Sequence, residues 1–134
     1  MGSKKFTEMV ARKHGVINAD ITTARTGATY YPTANFRKVI GVLVTDTVAD
    51  TKKATVQLLQ AKDGAGDGSK NLGTAVEVVA SGDQVLVVTQ EANAIDMDSA
   101  GGYTFVGIQV SSDNAAAVIG AATILLAEPR YAPV

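Results

Sequence analysis

The stretch VIGVLV at residues 39–44 is apolar on both faces, which suits a strand at the centre of a sandwich. The next run, residues 54–61, begins with an alternating pattern, so Val56 and Leu58 are predicted to point inward. Residues 59–60 then break the alternation, which indicates a bulge or a sheet edge. These two runs predict that the middle of the chain is built from strands.

Further strands follow along the chain. Residues 74–80 and 84–90 predict a hairpin, because the Ser-Gly-Asp connection at 81–83 carries glycine where a turn needs a positive φ. Alanines around residues 118–126 favour a helix by propensity, but the β-branched residues there favour a strand, which is our prediction. Residues 103–111 alternate cleanly, with one face formed by Val106, Ile108 and Val110.

Weaker strand signals precede residue 38. Residues 16–22 and 28–31 are candidate edge strands, the second closed by Pro32. The total is about eight strands, and the alternating strand and helix spacing of a parallel α/β sheet is absent from the sequence. The predicted fold is therefore all-β, a jelly roll or β-sandwich.

One helix is predicted, over residues 4–14. Phe6, Met9 and Val10 fall on one face at helical spacing, and Gly15 can end the helix in the left-handed conformation. A helix of about 11 residues is too short to be stable alone in water, so it must dock on the sandwich or on a neighbour. We expect an N-terminal helix or arm at 1–15 and a single sandwich domain at 16–134.

Composition limits the possible functions. The 134 residues include no cysteine, which rules out disulfides and thiolate metal sites. No apolar run reaches the ~20 residues of a membrane-spanning helix, and a net charge of −1 argues against non-specific nucleic-acid binding. Residues 1–53 hold nine Lys/Arg against four Asp/Glu, and residues 54–134 hold three against nine. The chain therefore either presents faces of opposite sign or interleaves its two halves.

No catalytic constellation is recognisable. His14 is the single histidine, so a Ser–His or Cys–His pair is nearly excluded. The glycine-rich residues 63–68 lack the Lys-Ser/Thr order of a phosphate loop and the closing glutamate of a calcium loop, and we interpret them as a surface loop. Asp96 and Asp98 could act as paired carboxylates or as part of a cation site, but the scarcity of aromatic residues near them favours a solvated loop. We expect no catalytic residue, cofactor or metal.

Two regions are candidates for contact with partners. The basic, amphipathic N-terminal segment needs a surface on which to dock, and the Tyr30-Tyr31 pair beside Pro32 is either a packing corner or a contact patch. The predicted partner interface consists of Lys4, Lys5, Phe6, Met9, Val10, Arg12, Lys13, Tyr30 and Tyr31.

Several segments resemble small structural proteins of tailed bacteriophages. The segments are 56–61, 63–66, 72–76, 102–110 and 130–131, and they share short apolar strands, turns rich in Ala, Gly and Thr, and few aromatic residues. The resemblance implies a capsid cement or decoration protein with a jelly-roll fold. Such a subunit is dimeric or trimeric and binds the major capsid protein on the outer surface of the virion, after synthesis in the host cytoplasm.

Two other functions stay open at this point. One is a head–tail connector or tail subunit with a β-sandwich, which differs from a shell protein in copy number. The other is a small jelly roll that binds or transforms a ligand, which would need a concave site with converging carboxylates. The resemblance implies neither catalysis nor direct contact with nucleic acid or a membrane.

Overall fold

The computed structural model describes residues 10–14 and 19–129, with side chains for residues 19–128. Within them the chain forms eleven strands and two short 3-10 helices, Ala94–Asp96 and Ser99–Gly101, and neither helix is long or apolar enough to cross a bilayer. The strands are β1 (Val10–His14), β2 (Ala19–Asp20), β3 (Arg25–Thr26), β4 (Tyr31–Pro32), β5 (Phe36–Val48), β6 (Lys53–Ala61), β7 (Lys70–Asn71), β8 (Val76–Val79), β9 (Gln84–Asn93), β10 (Phe105–Ser112) and β11 (Ile119–Pro129).

The strands form two antiparallel sheets. The first sheet has the order β1-β11-β5-β9, with β2 also paired to β11. The second has the order β3-β10-β6-β7, with β4 paired to β10 and β8 to β6. The sheets enclose one main core, which confirms the predicted all-β sandwich. The strands outnumber the eight expected because four of them are only two residues long, too short for an alternating pattern.

Side chains of the second sheet approach the first sheet closely at Gly41 on β5. A Cβ atom at this position would lie 2.9 Å from Leu58 Cδ2 on β6 and 3.0 Å from Ile108 Cδ1 on β10. The glycine therefore makes room for two large side chains from the opposite sheet. The inward orientation predicted for the apolar residues of β6 and β10 is confirmed, because all of them are buried: Val56, Leu58, Val106, Ile108 and Val110.

The stretch at 39–44 lies in β5, a central strand of the first sheet, as predicted. Its two faces have different environments. Val39 and Leu43 are fully buried, whereas Ile40 and Val42 are half-buried and Val44 is 45% exposed. The second apolar face of β5 thus lies on the outside of the sandwich.

The predicted hairpin at 74–90 is wrong in its pairing. Both strands exist, and Gly82 has the expected positive φ of 79°, but β8 pairs with β6 and β9 pairs with β5. The connection therefore crosses from one sheet to the other. The turn makes one local bond, from the Ser81 N–H to Gln84 Oε1 at 2.6 Å, and is also tied to the β5–β6 turn: the Gly82 N–H donates to Asp50 Oδ1 at 2.8 Å, and the Asp50 N–H donates to Asp83 Oδ1 at 3.0 Å.

The bulge or edge inferred at residues 59–60 is also wrong. β6 is a central strand that pairs with β10 without a register shift, from Phe105↔Ala61 to Ser112↔Ala54. The alternation breaks because both faces are covered there. Leu59 packs in a second cluster with Tyr30, and Gln60 is buried with its side chain bonded to the Asn71 carbonyl at 3.0 Å and the Asp98 N–H at 2.8 Å.

The predicted N-terminal helix is wrong for residues 10–14, which form β1. They pair with β11 from Val10↔Ala127 to His14↔Thr123. Strand pairing satisfies their backbone groups along one edge of β11, whereas a helix this short gains little by itself. Residues 4–9 of the predicted helix lie outside the described residues, and the division of the chain at residue 15 stays a prediction.

The two oppositely charged halves of the chain interleave. β11 lies between β1 and β5 in one sheet, and Lys38 forms an ion pair with Glu128 at 3.7 Å. Of the candidate edge strands, the first survives as β2 and the second is displaced to β4, while residues 16–18 lie outside the described part.

Candidate interaction surface

Asp63 organises the backbone of the 63–68 loop. Asp63 Oδ1 accepts hydrogen bonds from the Asp67 N–H at 3.0 Å and the Ala65 N–H at 2.9 Å. Both bonds lower the pKa of the Asp63 carboxyl, and the bond from the Asp67 N–H has the larger effect. Within the part of the chain with described side chains, no three His, Cys, Asp or Glu residues come together as metal ligands.

Asp98 belongs to a small polar cluster at the same end of the sandwich. It forms an ion pair with Lys70 at 2.8 Å and accepts a hydrogen bond from the Gly101 N–H at 2.9 Å. The Lys70 hydrogen bond is the main reason that the pKa of Asp98 is lowered. Lys70 Nζ also lies 4.2 Å from the ring centroid of Tyr103. Asp98 thus caps a 3-10 helix and neutralises a lysine, while Asp96 is exposed.

A cavity of about 600 Å³ opens beside the first 3-10 helix. Its described lining contains one guanidinium, one carboxylate and the 87% exposed side chain of Ile95, and it includes no histidine. With the Asn93 amide and the Ser99 hydroxyl, this set offers hydrogen bonds and apolar contact. The lining residues are Arg37, Asn93, Ala94, Ile95, Ser99 and Glu128.

The structure places only part of the predicted partner interface. Tyr30 is buried, as expected for a packing corner and not for a contact patch. Tyr31 is half-buried against the main core. Val10, Arg12 and Lys13 lie in β1, where the backbone alone is described. The remaining members, Lys4, Lys5, Phe6 and Met9, lie outside the described residues, and the role of this interface stays a prediction.

Tyr30 packs on the outside of the second sheet, over Gly107 of β10. A Cβ atom at Gly107 would lie 2.4 Å from Tyr30 Cε2, so only glycine admits the ring at this position. Leu59, Ala61 and Phe105 complete this cluster. The outer face of the second sheet is therefore partly covered by the chain itself.

The outer face of the first sheet has no such cover from the described residues. Its neighbouring side chains follow the strand register, with Val44 between Val87 and Ala121, and Val42 between Thr89 and Thr123. Four of its aliphatic residues are between 42% and 58% exposed. We call this surface the outer apolar face and define it by Ile40, Val42, Val44, Val85, Val87, Ile119, Ala121 and Leu125.

This face was not predicted, although the sequence contains two signals for it. The stretch at 39–44 is apolar on both sides, and the run Val85-Leu86-Val87-Val88 has the same property. In an antiparallel sandwich, one side of each strand faces outward, so an apolar residue on both sides predicts an exposed apolar surface. Burial on both sides is the other arrangement that this pattern allows, and it is the one that the position at the centre of a sandwich implies.

Comparisons with known proteins identify the architecture. No protein-family model matches the chain, and no curated protein matches it. Among solved structures, a chain of infectious bursal disease virus, Gx strain, is similar with a TM-score of 0.52 and 8% identity over 92% of this chain. A Clostridium thermocellum endo-1,4-β-D-xylanase chain with CBM22-1 and GH10 modules, complexed with xylohexaose, has a TM-score of 0.50 and 6% identity over 91% of this chain.

This chain spans 33% of the virus chain and 29% of the xylanase chain. A chain of the cowpea mosaic virus top component is similar over all of this chain and 95% of its own length, with 11% identity and a TM-score of 0.42. Likeness at this level of identity shows the fold alone: the protein is a β-sandwich, similar in architecture to part of the bursal disease virus chain and to part of the xylanase chain.

Proposed function

We propose that this chain is a structural virion subunit, a capsid cement or decoration protein that binds the outer surface of a phage head. It stabilises the shell by bridging major capsid proteins. The observation that supports this proposal is the outer apolar face, where Val44, Val85, Val87 and Ile119 remain 42–58% exposed. Exposed aliphatic side chains that cluster in this way mark contact sites, because their burial is favourable by roughly 25 cal/mol per Å².

The polar groups of the described residues support the same proposal. Asp20, Asp50, Asp63, Asp83 and Asp98 all accept hydrogen bonds from backbone N–H groups, so their carboxylates serve the fold. The architecture shared with capsid proteins is compatible with a shell role. The partners are the major capsid protein and further copies of the chain, as a dimer or trimer, without direct contact to nucleic acid or a membrane. The location is the capsid outer surface, after synthesis in the host cytoplasm.

Quantitative mass spectrometry of purified virions tests the proposal. We expect hundreds of copies per particle, one or more for each lattice position on the shell. A count of about six to twelve indicates the connector or tail alternative, because those assemblies are closed rings. Absence of the chain from virions would overturn a structural role.

Co-sedimentation with expanded phage heads tests the surface. Val44→Asp adds a charge at the centre of the outer apolar face, and we expect it to lower head occupancy by at least about tenfold. Val79→Asp is the matched control, because Val79 is 57% exposed on the other sheet. Equal binding by the two variants contradicts the assignment of this face, provided that both keep the β circular dichroism of the wild type.

The cavity beside Ile95 favours a second candidate, a ligand-binding jelly roll. A panel of metals and oligosaccharides, including xylohexaose, tests this function by thermal unfolding, since a ligand that binds the native state raises the Tm. We expect no rise for the cement protein. A rise that Arg37→Ala removes would favour the ligand-binding function.

A further inference from the structure

The first sheet ends at β9 in an edge that differs from the other edges described. The second sheet is bounded by short strands, namely β3, β4, β7 and β8, none longer than four residues. Short edge strands are a common protection against pairing with other chains. β9 instead has ten residues and contains no proline, lysine or arginine. The bulge in its pairing with β5 places the extra residue in β5, so β9 stays regular.

The direction of the Leu86 backbone groups shows which N–H and carbonyl groups of β9 point away from β5. The Leu86 N–H donates to Thr45 Oγ1 at 3.0 Å, and the Leu86 carbonyl accepts from the same hydroxyl at 3.5 Å, so both point towards β5. Successive residues of a strand alternate in direction. The N–H and carbonyl groups of Val85, Val87, Thr89 and Glu91 therefore point away from β5, where no described strand pairs with them.

We propose that β9 pairs with β9 of a second copy of this chain, antiparallel and about a two-fold axis. Identical antiparallel strands are complementary under such an axis, since each outward donor meets an outward acceptor. The register that uses all four outward residues sets Val87 opposite Thr89 of the second copy. It also sets Val85 opposite Glu91. The pairing extends the first sheets of two copies into one continuous sheet of ten strands, five from each copy.

Charge is compatible with this register. Glu91 is the only charged side chain of β9. In the proposed register the two Glu91 residues lie six positions apart along the strand, about 20 Å at 3.4 Å per residue. This separation exceeds the Debye length of about 8 Å at physiological ionic strength, so their repulsion is screened. The Val87 residues of the two copies lie diagonally across the axis, and each Val85 lies opposite Glu91 of the other copy, so the two outer apolar faces are joined at Val87.

Sedimentation equilibrium of the full chain tests the pairing in the absence of capsids, so its result is independent of the proposed function. We expect a reversible dimer. In Val87→Asp, the introduced carboxylates lie diagonally opposite each other and near Glu91, which should raise the dimer Kd at least about 100-fold. Val79→Asp is the control, since Val79 and Val87 are 57% and 58% exposed. Its Kd should change less than about threefold.

A wild-type chain that stays monomeric up to millimolar concentration overturns the proposal, and so does an equal Kd for the two variants. Amide hydrogen exchange provides a second readout, because the Val87 and Thr89 N–H groups must exchange slowly in the dimer and fast in the monomer. If Val87→Asp fails to fold, Thr89→Pro replaces it. That substitution removes an outward N–H and costs no bond to β5, so the fold should survive and the dimer should be lost.

Discussion

Gln90 of β9 bonds to Leu58 of β6 across the sandwich: its Oε1 accepts a hydrogen bond from the Leu58 N–H at 2.7 Å. This contact fills a gap in the second sheet. β8 pairs with β6 up to Val56, and β7 pairs with it from Leu59 onward, which leaves Leu58 without a strand on that side. Gln90 Nε2 also donates to the Leu72 carbonyl at 2.9 Å. One buried amide thus replaces a stretch of missing strand.

Gln90→Leu is expected to destabilise the protein by at least about 1–3 kcal/mol, because it leaves the buried Leu58 N–H without a partner. Urea unfolding measures the change. Gln109→Leu is the control, since its amide lies on the outer side of β10 and makes one exposed hydrogen bond, to Thr26 at 3.3 Å. We expect a shift below about 0.5 kcal/mol there. Equal losses in the two variants would contradict the role assigned to Gln90.

Gly107→Ala tests the cluster outside the second sheet. The new methyl group would lie 2.4 Å from Tyr30 Cε2, so the ring must move off Leu59 and Phe105. We expect a loss of about 1–3 kcal/mol, the usual cost of overpacking. Gly64→Ala is the control, because the nearest atom to its Cβ is 3.5 Å away. It should be neutral or stabilising by up to about 1 kcal/mol. Thermal unfolding by circular dichroism distinguishes the two.

Structural features that depend on residues close together along the chain could be predicted from the sequence. Strands β5 and β10 were predictable because their own alternation reports which side meets the core. The strands that pair with β8 and β9 could not be predicted. The turn between these two strands is bonded to Asp50, which lies about 30 positions earlier in the chain. Tyr30 was ambiguous for the same reason, since its cover over Gly107 joins segments far apart in sequence.

The outer apolar face was missed for a different reason. Apolar residues on both sides of a strand are consistent with burial between layers or with an exposed contact surface. Periodicity alone does not separate these cases. The deciding fact is the number of layers, and a two-layer sandwich leaves Val44 and Val87 outside.

Asp20→Asn is expected to change the acid stability of the protein. The Asp20 carboxylate accepts hydrogen bonds from the Thr22 N–H, the Thr22 hydroxyl and the Val118 N–H. These bonds lower its pKa below 3.8, and the bond from the Thr22 N–H has the largest effect. A depressed pKa in the folded state contributes stability above pH 3.8, which is lost as the pH falls through the folded value. The wild type should therefore lose more stability in acid than the variant does.

Melting temperatures between about pH 6 and pH 2.5 measure this difference. The gap between the wild type and Asp20→Asn should be largest near neutral pH and should close in acid. Asp96→Asn is the charge-matched control, because the Asp96 carboxylate has no hydrogen bond or ion pair to a residue with a described side chain. A gap that widens in acid would refute the linkage.

Asp50 and Asp83 provide a test of the crossing between the sheets. Each accepts one hydrogen bond from the turn that carries the other, so the two bonds form and break together. We expect Asp50→Ala and Asp83→Ala each to cost about 0.5–1.5 kcal/mol in urea unfolding. The double variant should cost less than the sum by at least about 0.5 kcal/mol, because either single change already loosens the pair of turns. In a β8–β9 hairpin, the two strands would bond to each other and the turn at Asp50 would not be involved. Additive losses in the double variant would therefore favour a hairpin over a connection that crosses between the sheets.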